Sequence, residues 1–220
     1  MQTYVKYLMS PRPYKLGRRS VAVAETRRRI LTAAREIIAA GSKEFTVDVV
    51  ASMAGVARMT VYYQFHSKRG LLEALFDELA TSGGIEQLAA AFRHTEPLQG
   101  LASFIGTFVG FWASDRVLLR RLRALAALDE EFQQAIRDRE ERRRQGLMVI
   151  LRRVAARRGL SSDVDLEEVS DLLHTLTSFE TYDSLAAVGW QPDHVARVIT
   201  DLSFSTLGLD PRSGPDAGRG

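Results

Sequence analysis

The sequence predicts an all-α protein, a small three-helix unit followed by a larger helical domain, and three observations carry that reading. Residues Thr46 to Lys68 read as two short helices joined at a glycine. Residues 21–40 repeat apolar side chains with a helical period, and residues 97–207 divide into helix-length apolar segments with short connections. A chain of 220 residues suffices for two small domains, and 45% hydrophobic with 26% charged residues is ordinary for a soluble globular protein. Zero cysteines exclude disulfides and thiolate metal sites.

In chain order, residues 1–20 hold Pro11, Pro13, Gly17, Arg18 and Arg19 and read as a flexible basic arm. Scattered cations and no sufficient apolar core leave nothing resembling a secretion signal, so a cytoplasmic protein is expected. A helix follows from about Val21 to Ala40, with Ile30, Leu31, Ala34, Ile37 and Ile38 on one face and Gly41 beyond its end. Arg27, Arg28 and Arg29 fit either a solvated face or contacts to a nucleic-acid backbone.

Thr46 can cap the next helix, Asp48 suits the positive end of its dipole, and Phe45 can staple onto Val50. Val47, Val50, Ala51 and Ala54 give an apolar face, and Gly55 permits the turn. In the following helix Val61 and Phe65 face inward, four residues apart, while Met59, Thr60 and Tyr63 fall opposite, Arg58 leads and Gln64 flanks. Lys68 lies in the first turn of a further helix, where an arriving phosphate would complement both cation and dipole. The spacing is that of a DNA-reading helix-turn-helix, or of an ordinary helical hairpin with solvated Lys and Tyr.

The stretch GVARMTVYYQFHSKRGLL resembles the recognition segment of the TetR family of bacterial transcriptional regulators. Gly55, Val56, Thr60, Val61, Tyr62, Phe65, Ser67, Lys68, Leu71 and Leu72 match in register, as do Gly41, Phe45, Thr46, Val47 and Ala51 upstream. Departures are Ala57 where a capping Ser is common, His66 where Pro is frequent, and Gly70 where Ala or an acid is usual. The resemblance implies base-edge roles for Arg58, Met59, Tyr63 and Gln64, and phosphate contacts for Thr46, Thr60, Tyr62 and Lys68. It also implies that the helix from Lys68 to Thr81 links the DNA-binding domain to the rest.

Charge is uneven in the same sense: residues 1–80 hold 13 Lys or Arg against 7 Asp or Glu, and residues 81–220 hold 17 against 20. Cations at the helix-turn-helix end suit a phosphate-binding domain. Ser82 to Gly84 mark a border, giving 21–81 as the DNA-binding domain with its linking helix and 82–209 as the second domain. Helices are expected over Pro97–Ala113, Asp115–Ala127, Glu130–Arg158, Asp165–Val188 and Pro192–Leu207. The run around Phe104 to Trp112 is too short to span a bilayer, so no membrane partner is expected. Residues 210–220 read as a disordered tail.

Phe104, Phe108, Phe111 and Trp112 form an aromatic wall, and the segment from Asp165 brings His174, Ser178 and Tyr182. Such a set is either core or a pocket for a small molecule. Because the resembled family generally senses a small molecule in this half, Phe104, Phe108, Trp112, His174, Ser178 and Tyr182 become candidate ligand contacts. His174 lies on a helix whose inward face is expected to carry Leu172, Leu173, Leu176 and Phe179. The arginine run of Arg142, Arg143 and Arg144 reads as a solvated face paired with Asp138, Glu140 and Glu141. Gly106 and Gly110 form a GxxxG expected to mark close packing.

Four scattered histidines indicate no metal site, and neither a catalytic motif nor a cofactor motif is present. The last two helices are apolar in excess, which fits the family's four-helix dimer interface and hence a homodimer on a palindromic double-stranded DNA operator. The expectation is a repressor released by a small-molecule effector. An activator, an effector-independent regulator, or a helical binding protein or enzyme retaining the helix-turn-helix as scaffold stand as alternatives.

Overall fold

The computed structural model describes residues 13–41, 45–160 and 164–209, so most of the expected arm and the expected tail lie outside the described residues. The chain divides into two compact units, residues 1–75 and 76–220. All regular structure among the described residues is helical.

In the first unit α1 (Pro13–Ala39) packs on α2 (Val47–Ala54), which precedes α3 (Arg58–Phe65) and the start of α4 (Lys68–Ser82). The first helix begins at Pro13, earlier than the expected Val21. Proline is suited to a first helical turn because its missing N–H would find no partner there. Thr46 caps α2, its hydroxyl accepting from the Val49 N–H at 3.3 Å. At the other end Gly55 takes φ 63°, its N–H donates to Ser52 O, and the Val56 N–H donates to Ala51 O, a Schellman arrangement that closes the helix. Ile30, Val50, Val61, Leu71 and Leu72 form the buried centre.

The unit border falls inside α4, ahead of the expected border at 81–82, because Phe76 packs in the second unit with its ring 5.8 Å from that of Phe111. Gly84, at φ 78°, makes the turn after α4. Next come a 3-10 turn (Ile85–Gln87) and a short α5 (Leu88–Arg93), neither expected from the sequence. The remaining helices are α6 (Pro97–Ser114), α7 (Arg116–Ala126), α8 (Glu130–Arg158), α9 (Leu166–Leu176), α10 (Phe179–Ala187) and α11 (Pro192–Thr206). The apolar α6 is the axle of this unit and touches α5, α7, α8, α10 and α11. Aspartates mark three helix starts: Asp115, Asp129 and Asp165 accept from the first-turn N–H groups of α7, α8 and α9.

Three expectations are corrected. The helix expected over Asp165–Val188 is broken at Thr177–Ser178, where the Ser178 backbone is extended and its hydroxyl caps α10. The break is held from outside: Trp112 Nε1–H donates to Thr177 O at 2.9 Å, and Arg143 Nη1 donates to His174 O at 2.9 Å. Secondly, Leu172 does not share the inward face of Leu173 but is 45% exposed. Thirdly, Gly106 and Gly110 mark no close packing among the described residues, since a Cβ at either would meet nothing within 4 Å.

Gly70, one of the departures from the family pattern, has a local cause. The His66 backbone has φ 65°, and a Cβ on Gly70 would lie 2.1 Å from the Phe65 carbonyl oxygen. Gly70→Ala should therefore force the start of α4 to shift and lower stability by about 1–3 kcal/mol, read from the urea midpoint.

Candidate DNA-reading face and effector cavity

The face of α3 follows from its spacing. Val61 and Phe65 are buried, whereas Met59 is 58% and Tyr63 79% exposed, large side chains left in water on a helix only eight residues long. Thr60, Tyr62 and Gln64 are half-buried around this face. Arg58 is not idle: its guanidinium reaches Asp48 at 2.8 Å and donates to the Tyr62 hydroxyl at 3.2 Å. Ala57 gives α3 no side-chain cap. The Lys68 ammonium lies 5.9 Å from the Phe45 ring and has no carboxylate partner among the described residues.

The arginine triplet of α1 does something that neither sequence reading foresaw. Arg27 Nη1 donates to Gln64 O at 2.9 Å, with its guanidinium 4.3 Å above the Phe65 ring. Arg29 Nη2 donates to Ala54 O and Gly55 O. Both cations thus sit on carbonyls at the C-terminal ends of α3 and α2, where helix dipoles favour positive charge. They clamp the two helices to α1. Arg28 pairs with Glu25 at 2.6 Å.

The second unit contains a cavity of about 400 Å³, within the range of small-molecule sites. Phe104, Phe108 and Trp112 line it, spaced 4.8 and 6.0 Å between successive ring centroids. Phe76, Phe92 and Phe111 complete the aromatic wall. Ser178 and Tyr182 are not part of the wall: Ser178 caps α10, and Tyr182 is a buried residue beside the Asp183 and Arg116 pair. His174 does not line the cavity but meets two residues that do: its Nε2 lies 3.2 Å from the Glu140 backbone oxygen and 3.6 Å from Glu140 Oε2, and its carbonyl accepts from Arg143.

The polar end comes from α8, where the expectation of a solvated arginine face holds at Arg142 but fails at Arg143. Arg143 is only 5% exposed. Its guanidinium donates to both Glu140 Oε2, at 2.7 and 2.9 Å, and the Thr177 hydroxyl, at 2.6 Å. Arg123 holds the other oxygen of Glu140. The signal was available in the spacing: Ile136, Glu140, Arg143 and Leu147 form one i, i+4, i+7, i+11 stripe, and its apolar members are core. Burial pushes the Glu140 carboxyl up, but the His174 imidazole and the Arg143 and Arg123 charges outweigh it and hold the group at about 2. Burial likewise presses Arg143 down, against the pull of Glu140.

Among the described residues no group of three or more His, Cys, Asp or Glu could hold a metal, and no helix is long and apolar enough to cross a membrane. The first unit thus holds α3 with an exposed face against α1 and α2, and the second unit holds an aromatic cavity. The family model for bacterial regulatory proteins of the tetR family matches residues 30–75. Over 62 residues the chain is 42% identical to an uncharacterized HTH-type transcriptional regulator, TtgW, of Pseudomonas putida, a match spanning 27% of this chain and 46% of that protein. Solved structures share the fold, two of them as follows. One is NalD of Pseudomonas aeruginosa, the secondary repressor of the MexAB-OprM multidrug efflux pump, with TM-score 0.64 and 21% identity over 84% of this chain and 96% of that one. The other is FadR of Bacillus subtilis in complex with stearoyl-CoA, with TM-score 0.63 and 21% identity over 81% and 98%. Similarity to the tetR family rests on residues 30–75, and the chain matches less than half the length of the curated relative.

Glu140 supplies a pH test. Its folded pKa lies below the unfolded value of 4.5, so its contribution to stability is complete above that pH and is lost as pH falls towards 2. Glu140→Gln should cost about 3 kcal/mol at neutral pH, because two guanidiniums lose their counter-charge. In urea titrations the gap between the variant and the native protein should close progressively below pH 4.5.

Proposed function

We propose that this protein is a cytoplasmic, homodimeric repressor that reads a palindromic double-stranded DNA operator and is released from it by a small-molecule effector. The observation that carries the reading is the α3 face, where Met59 and Tyr63 stand exposed beside Arg58, Thr60 and Gln64, opposite a buried Val61 and Phe65. Large side chains are exposed there without any intramolecular need. Lys68 and the capping Thr46 supply phosphate contacts to either side, and the excess of cations in residues 1–80 supplies sequence-independent attraction.

Effector response rests on the cavity and its relation to α4. Phe76, Asp77 and Ala80 line the cavity, while Lys68 opens the same helix. Residues 68–81 then act as the linking segment, and a ligand that moves the cavity end of α4 alters the presentation of the DNA-reading end. A coupling of about 1–3 kcal/mol, 5- to 150-fold in affinity, would be typical. Dimerisation is supported by Leu172 on α9 and Leu202 on α11, both nearly half exposed on helices that contact one another. The role involves no catalysis and needs no cofactor.

The test is fluorescence anisotropy with the intergenic DNA beside the protein's own gene, at two salt concentrations and against unrelated competitor DNA. The native protein should bind tightly and resist the competitor. Met59→Ala with Tyr63→Ala should weaken specific binding at least tenfold while leaving the competitor affinity in place. Lys68→Ala should instead weaken binding to all sequences alike and reduce the salt slope by about 1. Equal losses for both kinds of DNA in the α3 variant would defeat the operator-reading assignment.

Dimerisation is tested separately. Leu172→Glu combined with Leu202→Glu should shift the sedimentation coefficient to that of a 24.5 kDa monomer and abolish tight operator binding. A dimer that persists in this variant would place the interface elsewhere.

A further inference from the structure

The cavity is apolar over most of its wall, and its charges are gathered on α8 and the C-terminal half of α4, where they do not balance. Three guanidiniums, those of Arg139, Arg142 and Arg143, face two carboxylates, Asp77 and Glu140. Their commitments differ. Glu140 is locked to the buried Arg143 by two hydrogen bonds. Asp77 accepts from Arg139 Nη2 at 2.7 Å, but its side chain is 65% exposed, so water already competes for it. Arg142 has no ion-pair or hydrogen-bond partner among the described residues and is exposed at the cavity mouth.

Building on the effector reading above, we infer that the cavity accepts an amphipathic acid: a flat or chain-like apolar body against Phe104, Phe108 and Trp112, with one carboxylate held by Arg142 and by Arg139. The charge count selects the sign. One anion brings the lining to neutrality, a neutral head group leaves Arg142 unmatched, and an ammonium adds to the cation excess. Chemistry selects the group, since planar guanidiniums hold a carboxylate through paired, charge-assisted hydrogen bonds. The ligand carboxylate takes the place of Asp77 on Arg139, which frees the α4 side of that pair. Ligand entry and the release of an α4 contact are thus one exchange of anions.

Isothermal titration of the full chain without DNA tests this with two matched series: octanoate, 1-octanol and octylammonium; and naphthalene-2-carboxylate, 2-naphthalenemethanol and 2-naphthylmethylammonium. In at least one series the carboxylate should bind tenfold or more tighter than the alcohol, with the ammonium weakest. Arg142→Gln should remove most of that preference without changing alcohol affinity. Asp77→Asn, which removes the competing anion, should raise carboxylate affinity several-fold and leave the alcohol unaffected, an outcome that a purely structural role for Asp77 would not give. The inference is overturned if the alcohol or ammonium matches the carboxylate, if none of the six probes binds, or if Asp77→Asn weakens the carboxylate. A carboxylate that binds as expected but leaves the DNA complex intact at saturation overturns the effector reading instead, with the charge ranking still standing.

Discussion

A guanidinium taken out of water must find partners on every side, and Arg143 sets much of the layout of the second unit by that requirement. An unpaired charge at its position would cost several kcal/mol. Glu140 supplies the counter-charge one turn earlier on α8, and Arg123 then holds the remaining oxygen of Glu140 from α7. The other arm of Arg143 takes the His174 carbonyl and the Thr177 hydroxyl, groups at the point where α9 gives way to α10. With Trp112 holding the Thr177 carbonyl from α6, the helix break is fixed by α6 and α8 together. The guanidinium also lies 5.5 Å from the Phe108 ring, so the same residue that satisfies the break forms the boundary between the cavity's polar end and its aromatic wall.

The first unit applies the same chemistry at smaller scale. Two short helices of eight residues each have little intrinsic stability. They are held by tertiary means: a shared apolar centre, and the Arg27 and Arg29 clamps on their terminal carbonyls. The missing cap at Ala57 is tolerable for this reason, because α3 is positioned by Phe65, Val61 and the clamp at Gln64 more than by its first turn.

Much of this was legible in the residues, wherever the determining contact is local. Pro97, Asp115, Asp129 and Pro192 are start signals acting within one turn, and the expected bounds of α6, α8 and α11 agree with the observed ones to within a residue. The split between Val61 and Tyr63 followed from helical periodicity alone. What escaped was set by distant partners. The break at Thr177 depends on a tryptophan 65 residues away and an arginine 31 residues before His174. Similarly, α5 ends where Arg153 of α8 donates to Phe92 O and His94 O, a stop that no residue near it announces. Arg143 was misread because a charged side chain was weighed by its type rather than by its place on the stripe of Ile136 and Leu147. Half of the suggested ligand contacts line the cavity for the same reason: Phe104, Phe108 and Trp112 share one face of one helix, whereas Ser178 and Tyr182 were placed on a continuous helix that does not exist.

The pairing of Arg58 with Asp48 has a bearing on fidelity. Both groups are more than half exposed, so the bond between them is weak and is readily exchanged for a better acceptor. For a DNA-reading helix this creates a threshold. A guanine edge offering two acceptors can draw the guanidinium away from Asp48, whereas a base that offers a poorer match leaves the arginine where it was. Under the proposed function, Arg58 would then add little on random sequence and contribute mainly when the correct base arrives. Asp48, which touches no base in this scheme, becomes a tuner of discrimination: neutralising it would make the protein grip all DNA more firmly and distinguish its operator less well.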